Sequence, residues 1–169
     1  MLRAPRSRHT FLRLIRIRPI PLLLAFVSAI CWFAAAGATV AWSLIQNAPT
    51  GIAASESLGG LGVRLQIHDS VIRNTTKGIL LTSLNSTPGG NDTVRVTLNR
   101  SNMANNTTAI DVESPPPGDA RMTLDENVIQ NNPTAINFNG GVVFSRGNNT
   151  MNFSTNGIVG GSLTAISGM

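Results

Sequence analysis

R-M-T-L-D-E-N-V-I-Q-N-N-P-T-A-I-N-F, residues 121–138, decides the reading of the chain because it recurs. It returns as V-R-V-T-L-N-R-S-N-M-A-N-N-T-T-A-I-D-V from Val94 and as V-R-L-Q-I-H-D-S-V-I-R-N-T-T-K-G-I-L-L from Val63. Offsets of 31 and 26 residues superimpose Arg64, Arg95 and Arg121; Ile67, Leu98 and Leu124; Ile72, Met103 and Ile129; Asn74, Asn105 and Asn131; and Ile79, Ile110 and Ile136. A fourth, degenerate copy is expected to set Phe144, Met151, Gly157 and Ile158 on Met122, Ile129, Ala135 and Ile136. Units therefore start near residues 63, 94, 120 and 142.

In Val63–Ile67 and Val94–Leu98 apolar and polar residues alternate strictly, the period of a strand with one buried face. The alternation resumes at Ile79-Leu80-Leu81, Ile110-Asp111-Val112 and Ile136-Asn137-Phe138, each after a small residue. Between the two runs lies the Ile72, Met103, Ile129 column. Each unit thus predicts two or three short strands joined by tight, Asn-rich corners. A unit this small cannot bury its own apolar face, so successive units must stack, with like residues above like at the spacing of parallel strands. Asn74, Asn105 and Asn131 are then expected in a column at a corner. There asparagine tolerates unusual backbone angles, and its amide is expected to bond the copies above and below. Insertions at Ser83–Asp92 and Ser114–Asp119 follow the last strand of a unit, whereas the third unit ends at Gly140-Gly141.

The V-x-V-x-L strands, the I-x-x-N corners and the [GA]-I-x-V strands resemble a right-handed parallel β-helix of the pectate-lyase-like superfamily. The run S-R-G-N-N-T-M-N from Ser145 is similar to the ends of exported bacterial β-helix proteins of unassigned activity. The resemblance covers about Val63 to Ile158. It implies an all-β, right-handed parallel β-helix of about four short coils over residues 63–169, and the uncharged run before it is expected to form an N-terminal hydrophobic helix. The L-x-x-L-x-L spacing of a leucine-rich repeat is absent.

Residues 1–45 read as an Arg-rich leader, and residues 46–62 as a linker or loose cap. Arg3, Arg6, Arg8, Arg13, Arg16 and Arg18 precede Ile20–Ile45, which carries no charged side chain and is long enough to span a bilayer. The arginines are expected to stay on the cytoplasmic side and send the repeats outward. Two fates fit best: cleavage at the small-x-small site Ala36-Gly37-Ala38, or retention as an anchor with Trp32 and Trp42 at the membrane interfaces; a buried helix of a soluble protein is the third reading. Without the leader, seven basic residues face eight acidic ones, so the net charge of +5 gives no ground for a nucleic-acid partner. Cys31 is the sole cysteine, which excludes an internal disulfide framework.

Candidate site residues follow from the columns. Arg64, Arg95 and Arg121 predict an outward basic stripe, suited to the carboxylates of an acidic glycan but also explained by a solvated strand face. Asp69, Arg100 and Glu126 alternate in sign and predict a surface ion ladder. Asp111 and Glu113 flank Val112, so both carboxylates are expected to point outward as a candidate acid pair for acid/base work or calcium. Their counterparts Leu80, Asn137, Thr82 and Asn139 are uncharged. His68 adjoins Asp69 without a G-x-S-x-G elbow, and is expected as a solvated corner histidine. The superfamily's Asp-Asp, Gly-His-Gly and Arg-x-Lys motifs are missing, as is the group of calcium-binding aspartates of its lyases. Tyrosine is absent and no tryptophan follows Trp42, so the domain is expected to lack aromatic platforms, with Phe138 and Phe144 on inward columns.

These features predict an exported or membrane-tethered, non-catalytic surface or interaction module, with no cofactor or metal. Its partners are expected to be the membrane through the leader and a glycan or other envelope component. The other readings are a polysaccharide lyase or hydrolase, and a truncated remnant of a longer repeat protein.

Overall fold

The computed structural model describes residues 37–56, 62–84 and 93–166. Fourteen strands run through these residues. They are β1 (Gly37–Ala41), β2 (Leu44–Gln46), β3 (Thr50–Ser55), β4 (Val63–His68), β5 (Val71–Arg73), β6 (Lys77–Thr82) and β7 (Val94–Asn99). After them come β8 (Asn102–Ala104), β9 (Thr108–Ser114), β10 (Ala120–Asp125), β11 (Val128–Gly140), β12 (Val142–Ser145), β13 (Thr150–Val159) and β14 (Thr164–Ala165). All pairing is parallel. One sheet has the order β1-β4-β7-β10-β12-β14, and the other β2-β5-β8-β11-β9-β6-β3, with β13 on β11. Each strand thus pairs with the matching strand of the units before and after it, so the chain winds as stacked three-strand coils. The all-β architecture with parallel sheets is compatible with a parallel β-helix. The long β11 continues from the second to the third strand position of its coil, and this joins two stacks into one sheet.

Register follows the columns read from the sequence: Arg64 pairs Arg95 and Arg95 pairs Arg121, while Ile79 pairs Ile110 and Ile110 pairs Ile136. Alternation turns Val63, Leu65 and Ile67 inward, and stacking sets them beneath Val94, Val96 and Leu98. The core is a set of such aliphatic columns, and nearly every member is fully buried. Fully burying one such side chain contributes about 1.5–3 kcal/mol. This explains why the repeat keeps its apolar positions while its exposed ones drift.

Two corners close each coil, and both obey one rule. Asn47, Asn74, Asn105 and Asn131 have φ between 54° and 58°, the left-handed region where asparagine is favoured. Trp42, Asp69, Arg100 and Glu126 at the other corner have φ between 45° and 54°, with no asparagine among them. Except at Ala48, the residue after a left-handed one turns inward, and most of these residues bond the next coil. At the first corner the Ser43, Ser70 and Ser101 N–H groups donate to Ser70 Oγ, Ser101 Oγ and Asn127 Oδ1, and Asn127 N–H donates to Asn149 Oδ1. At the second, Thr75 N–H donates to Asn106 Oδ1 and Asn106 N–H to Asn132 Oδ1. These ladders satisfy buried backbone donors that would otherwise cost about 1–3 kcal/mol each.

Three expectations are corrected. The inter-coil amide ladder belongs to Asn106 and Asn132, one residue beyond the expected Asn105 and Asn131; a left-handed residue projects to solvent, and its successor faces the interior. Val143 falls on Met122, and Phe144 on the outward Thr123, not on Met122. The corner Arg146–Asn149 holds one residue more than Asp125–Asn127 requires, so the offset of 22 that places Met151 on Ile129 becomes 21 in the preceding strand. Finally, residues 37–55, read as the end of the apolar leader and a linker, form a further coil: β1, β2 and β3 pair β4, β5 and β6. Short residues and the absence of charge hid its alternation. The expected hydrophobic helix lies, up to Ala36, outside the described residues, as does most of the Ser83–Asp92 insertion.

Gly140 follows directly from the packing of the third unit. Its φ is 87°, and a Cβ there would stand 1.9 Å from the Ser114 carbonyl oxygen, so only glycine closes this coil without an insertion.

Candidate functional site

Because alternate residues of a strand face outward, the first sheet presents columns of side chains on a flat surface. Arg64, Arg95 and Arg121 form one, all exposed and in register. Arg121 Nε donates to Asp119 Oδ1 at 2.7 Å, and this carboxylate raises the pKa of its guanidinium. Arg64 and Arg95 pair with no acid among the described residues. Thr39, Gln66, Thr97 and Thr123 make the next column, and His68, Asn99 and Asp125 the third. A shallow depression of about 320 Å³ lies between the second and third columns, lined by Gln66, Ile67, His68, Thr97, Asn99 and Arg100.

The sign-alternating corner column is an ion pair over part of its height. Arg100 Nε and Nη2 donate to Asp69 Oδ1 and Oδ2, both at 2.9 Å, and His68 Nδ1 lies 2.8 Å from Asp69 Oδ2. These bonds, the Arg100 fork first, hold the Asp69 carboxyl at about 2, below its ordinary 3.8. A carboxyl depressed in the folded state contributes stability above its unfolded value and loses it as the pH falls through the folded one, here between about 4 and about 2. Arg100→Ala is therefore expected to return the Asp69 titration upward towards 3.8, measured by carbon-detected NMR of the side-chain carboxyl; an unchanged titration would mean that the fork does not set it.

Asp111 and Glu113 occupy the predicted register against Leu80 and Asn137, and against Thr82 and Asn139. Both flank the inward Val112 as expected, but Asp111 is only 4% exposed. Lys77 Nζ lies 2.8 Å from Asp111 Oδ2 and 2.6 Å from Glu113 Oε1, while Asn137 Nδ2 donates to Asp111 Oδ1 at 2.9 Å. Both carboxylates raise the Lys77 pKa, Asp111 the more. The pair is thus occupied by a cation from the coil below. Sequence reasoning compared only aligned neighbours, and Lys77 stands three residues before the aligned Leu80. Its being the sole lysine of the chain was the available signal.

Trp42 alters the expectation that the repeat domain lacks an aromatic surface. It occupies the first corner of the first coil, is 80% exposed, and meets the His68 ring edge-on at 6.5 Å between centroids. His68 is half-buried beneath it and held by Asp69, so it is not a freely solvated corner residue. No group of three or more His, Cys, Asp or Glu side chains able to hold a metal ion occurs among the described residues.

The fold and this surface define an all-β protein built of parallel sheets, with a flat basic-to-polar face on one of them. No known protein family, curated protein or solved structure matches the chain.

Proposed function

We propose that the chain is a right-handed parallel β-helix of the pectate-lyase-like type. In this reading it is exported or membrane-tethered, displayed outside the cytoplasmic membrane, and contacts an acidic glycan without transforming it. The observation that carries the reading is the arginine column. Like charges directly opposite on neighbouring strands destabilise a sheet, yet three guanidinium groups are in register here and, among the described residues, only Arg121 has an acidic partner. Arg64 and Arg95 stand about 4.8 Å apart along the stack, so a flexible polyanion laid across the coils would offset their repulsion with charge-assisted bonds. Thr97 and Gln66 in the adjoining column supply neutral donors and acceptors for hydroxyl groups.

The lyase reading needs an acid pair free to bind calcium or to move a proton. Asp111 and Glu113 are instead bridged by Lys77, which favours the binding module.

Titration of the full chain with polygalacturonate tests the proposal. The double variant Arg64→Ala/Arg95→Ala is expected to weaken binding about 10-fold or more, with a folded-state circular dichroism spectrum unchanged and with a weaker salt dependence. Unchanged affinity would remove the arginine column. Release of unsaturated uronides, lost in Asp111→Asn, would establish the lyase instead.

A further inference from the structure

The coil formed by residues 37–55 differs from those stacked on it in one chemical respect: it holds no Asp, Glu, Lys, Arg or His. Charged columns stop when they reach it. Gly37 lies under Arg64, Thr50 under Lys77 and Gln46 under Arg73. The corner that presents Asp69, Arg100 and Glu126 in later coils presents Trp42 in this one, in the same left-handed conformation. A bulky residue at positive φ costs of order 1–3 kcal/mol, so the corner bears both strain and an exposed indole. Leu44, two residues on, is 56% exposed.

The position of this coil in the chain gives the asymmetry a meaning. Strand β1 begins at Gly37, and in the sequence it follows directly on the uncharged run Ile20–Ala36. That run is 17 residues, at the short end of what spans a bilayer, so a chain anchored by it is expected to hold its first coil close to the membrane surface. Cleavage at Ala36-Gly37-Ala38 would remove Gly37 and Ala38 from the five-residue β1, together with their pairing to Arg64 and Leu65.

We infer that the uncharged first coil rests in the headgroup layer of the membrane that holds the leader, with Trp42 and Leu44 as its lipid contacts. The inference rests on the membrane-tethered form of the function proposed above. The depth is bounded on both sides. Among the described residues β1, β2 and β3 end their sheets, so their outer backbone groups need water or headgroup partners and do not tolerate hydrocarbon. An interfacial layer is about 5–7 Å deep and one coil rises about 4.8 Å, so the layer accommodates this coil and releases the next, where charge begins. Tryptophan and leucine suit that depth, the indole because its apolar body carries a polar N–H. The arginine column then starts one coil above the surface and leads away from it.

The test uses the full chain carrying Trp32→Phe, which leaves Trp42 as its only tryptophan. The protein is inserted into phosphatidylethanolamine–phosphatidylglycerol vesicles, and folding is checked by its β-sheet circular dichroism. Trp42 emission is expected to be blue-shifted, shielded from aqueous acrylamide, and quenched more by lipids brominated near the headgroup than by lipids brominated near the chain ends. Membrane-integrated protein whose Trp42 emits as in water and is quenched by acrylamide would overturn the docking and leave the tether intact. Recovery from the host as a soluble chain starting near Thr39 would overturn the tether, and the docking with it. A Trp42 response to polygalacturonate but not to lipid would assign the indole to a glycan platform and overturn the docking.

Discussion

Replacing Asn106 with alanine is expected to lower the stability of the protein by about 3–5 kcal/mol, more than any surface change in the same corner. Asn106 is 1% exposed and spans three coils. Its Oδ1 accepts from Thr75 N–H at 3.1 Å and from Thr75 Oγ1 at 2.7 Å, and its Nδ2 donates to the Ile72 carbonyl and to Asn132 Oδ1. Alanine removes all four bonds and leaves the Thr75 N–H, the Thr75 hydroxyl and the Ile72 carbonyl without this partner, facing a methyl group. Asn105→Ala, one residue earlier, loses only the left-handed preference of an exposed asparagine, an effect of about 1–2 kcal/mol. Urea unfolding of the two variants compares them directly. A larger loss for Asn105→Ala would mean that the inward ladder is not what holds the corner.

The second large effect is expected in the middle of the aliphatic stack. Ile110 is fully buried between Ile79 and Ile136, in a column that continues to Ile52 and Ile158. With packed side chains above and below, the site cannot collapse onto the space an alanine leaves, so Ile110→Ala is expected to cost about 2–5 kcal/mol. Ile110→Val, which keeps the β-branch, is expected to cost about 0.5–1.5 kcal/mol. Ile158 lies near the end of the column and is only partly buried, so Ile158→Ala is expected to cost less than Ile110→Ala by the same denaturation assay. Equal losses at the two positions would contradict a core graded from the middle of the stack to its end.

The stacking was legible because it rests on side-chain period and on offset, both of which survive degeneracy. The columns of Ile67, Ile72 and Ile79 needed only that like residues recur in register, and parallel pairing turned that recurrence into contact. What sequence reading missed was chemistry that crosses columns. The inward Asn106 looked like a second asparagine beside the corner one, and nothing in spacing alone says which of two adjacent amides faces the core. The first coil escaped because alanine, glycine and threonine give weak alternation, and because the absence of charge reads equally as an apolar leader and as a coil without ionic columns. The candidate site was half legible. The arginine register followed from the repeat, whereas the hold of Lys77 on Asp111 depends on a side chain reaching diagonally between coils. The Val143 register depended on one extra corner residue, which an ungapped comparison of the fourth unit could not reveal.

The stack of parallel coils, including the one that begins at Gly37, is tested most directly by a spin–spin distance across it. Gly37 and Val142 are exposed and share one column through Arg64, Arg95 and Arg121, and a Cβ at Gly37 meets nothing within 4 Å among the described residues. In a Cys31→Ser background, labels at Gly37→Cys and Val142→Cys stand four strand spacings apart, so pulsed electron resonance is expected to give a narrow distribution centred near 19 Å, at about 4.8 Å per step. A broad distribution, or one centred beyond about 30 Å, would mean that the first coil does not stack on the others in this register, and would contradict the account.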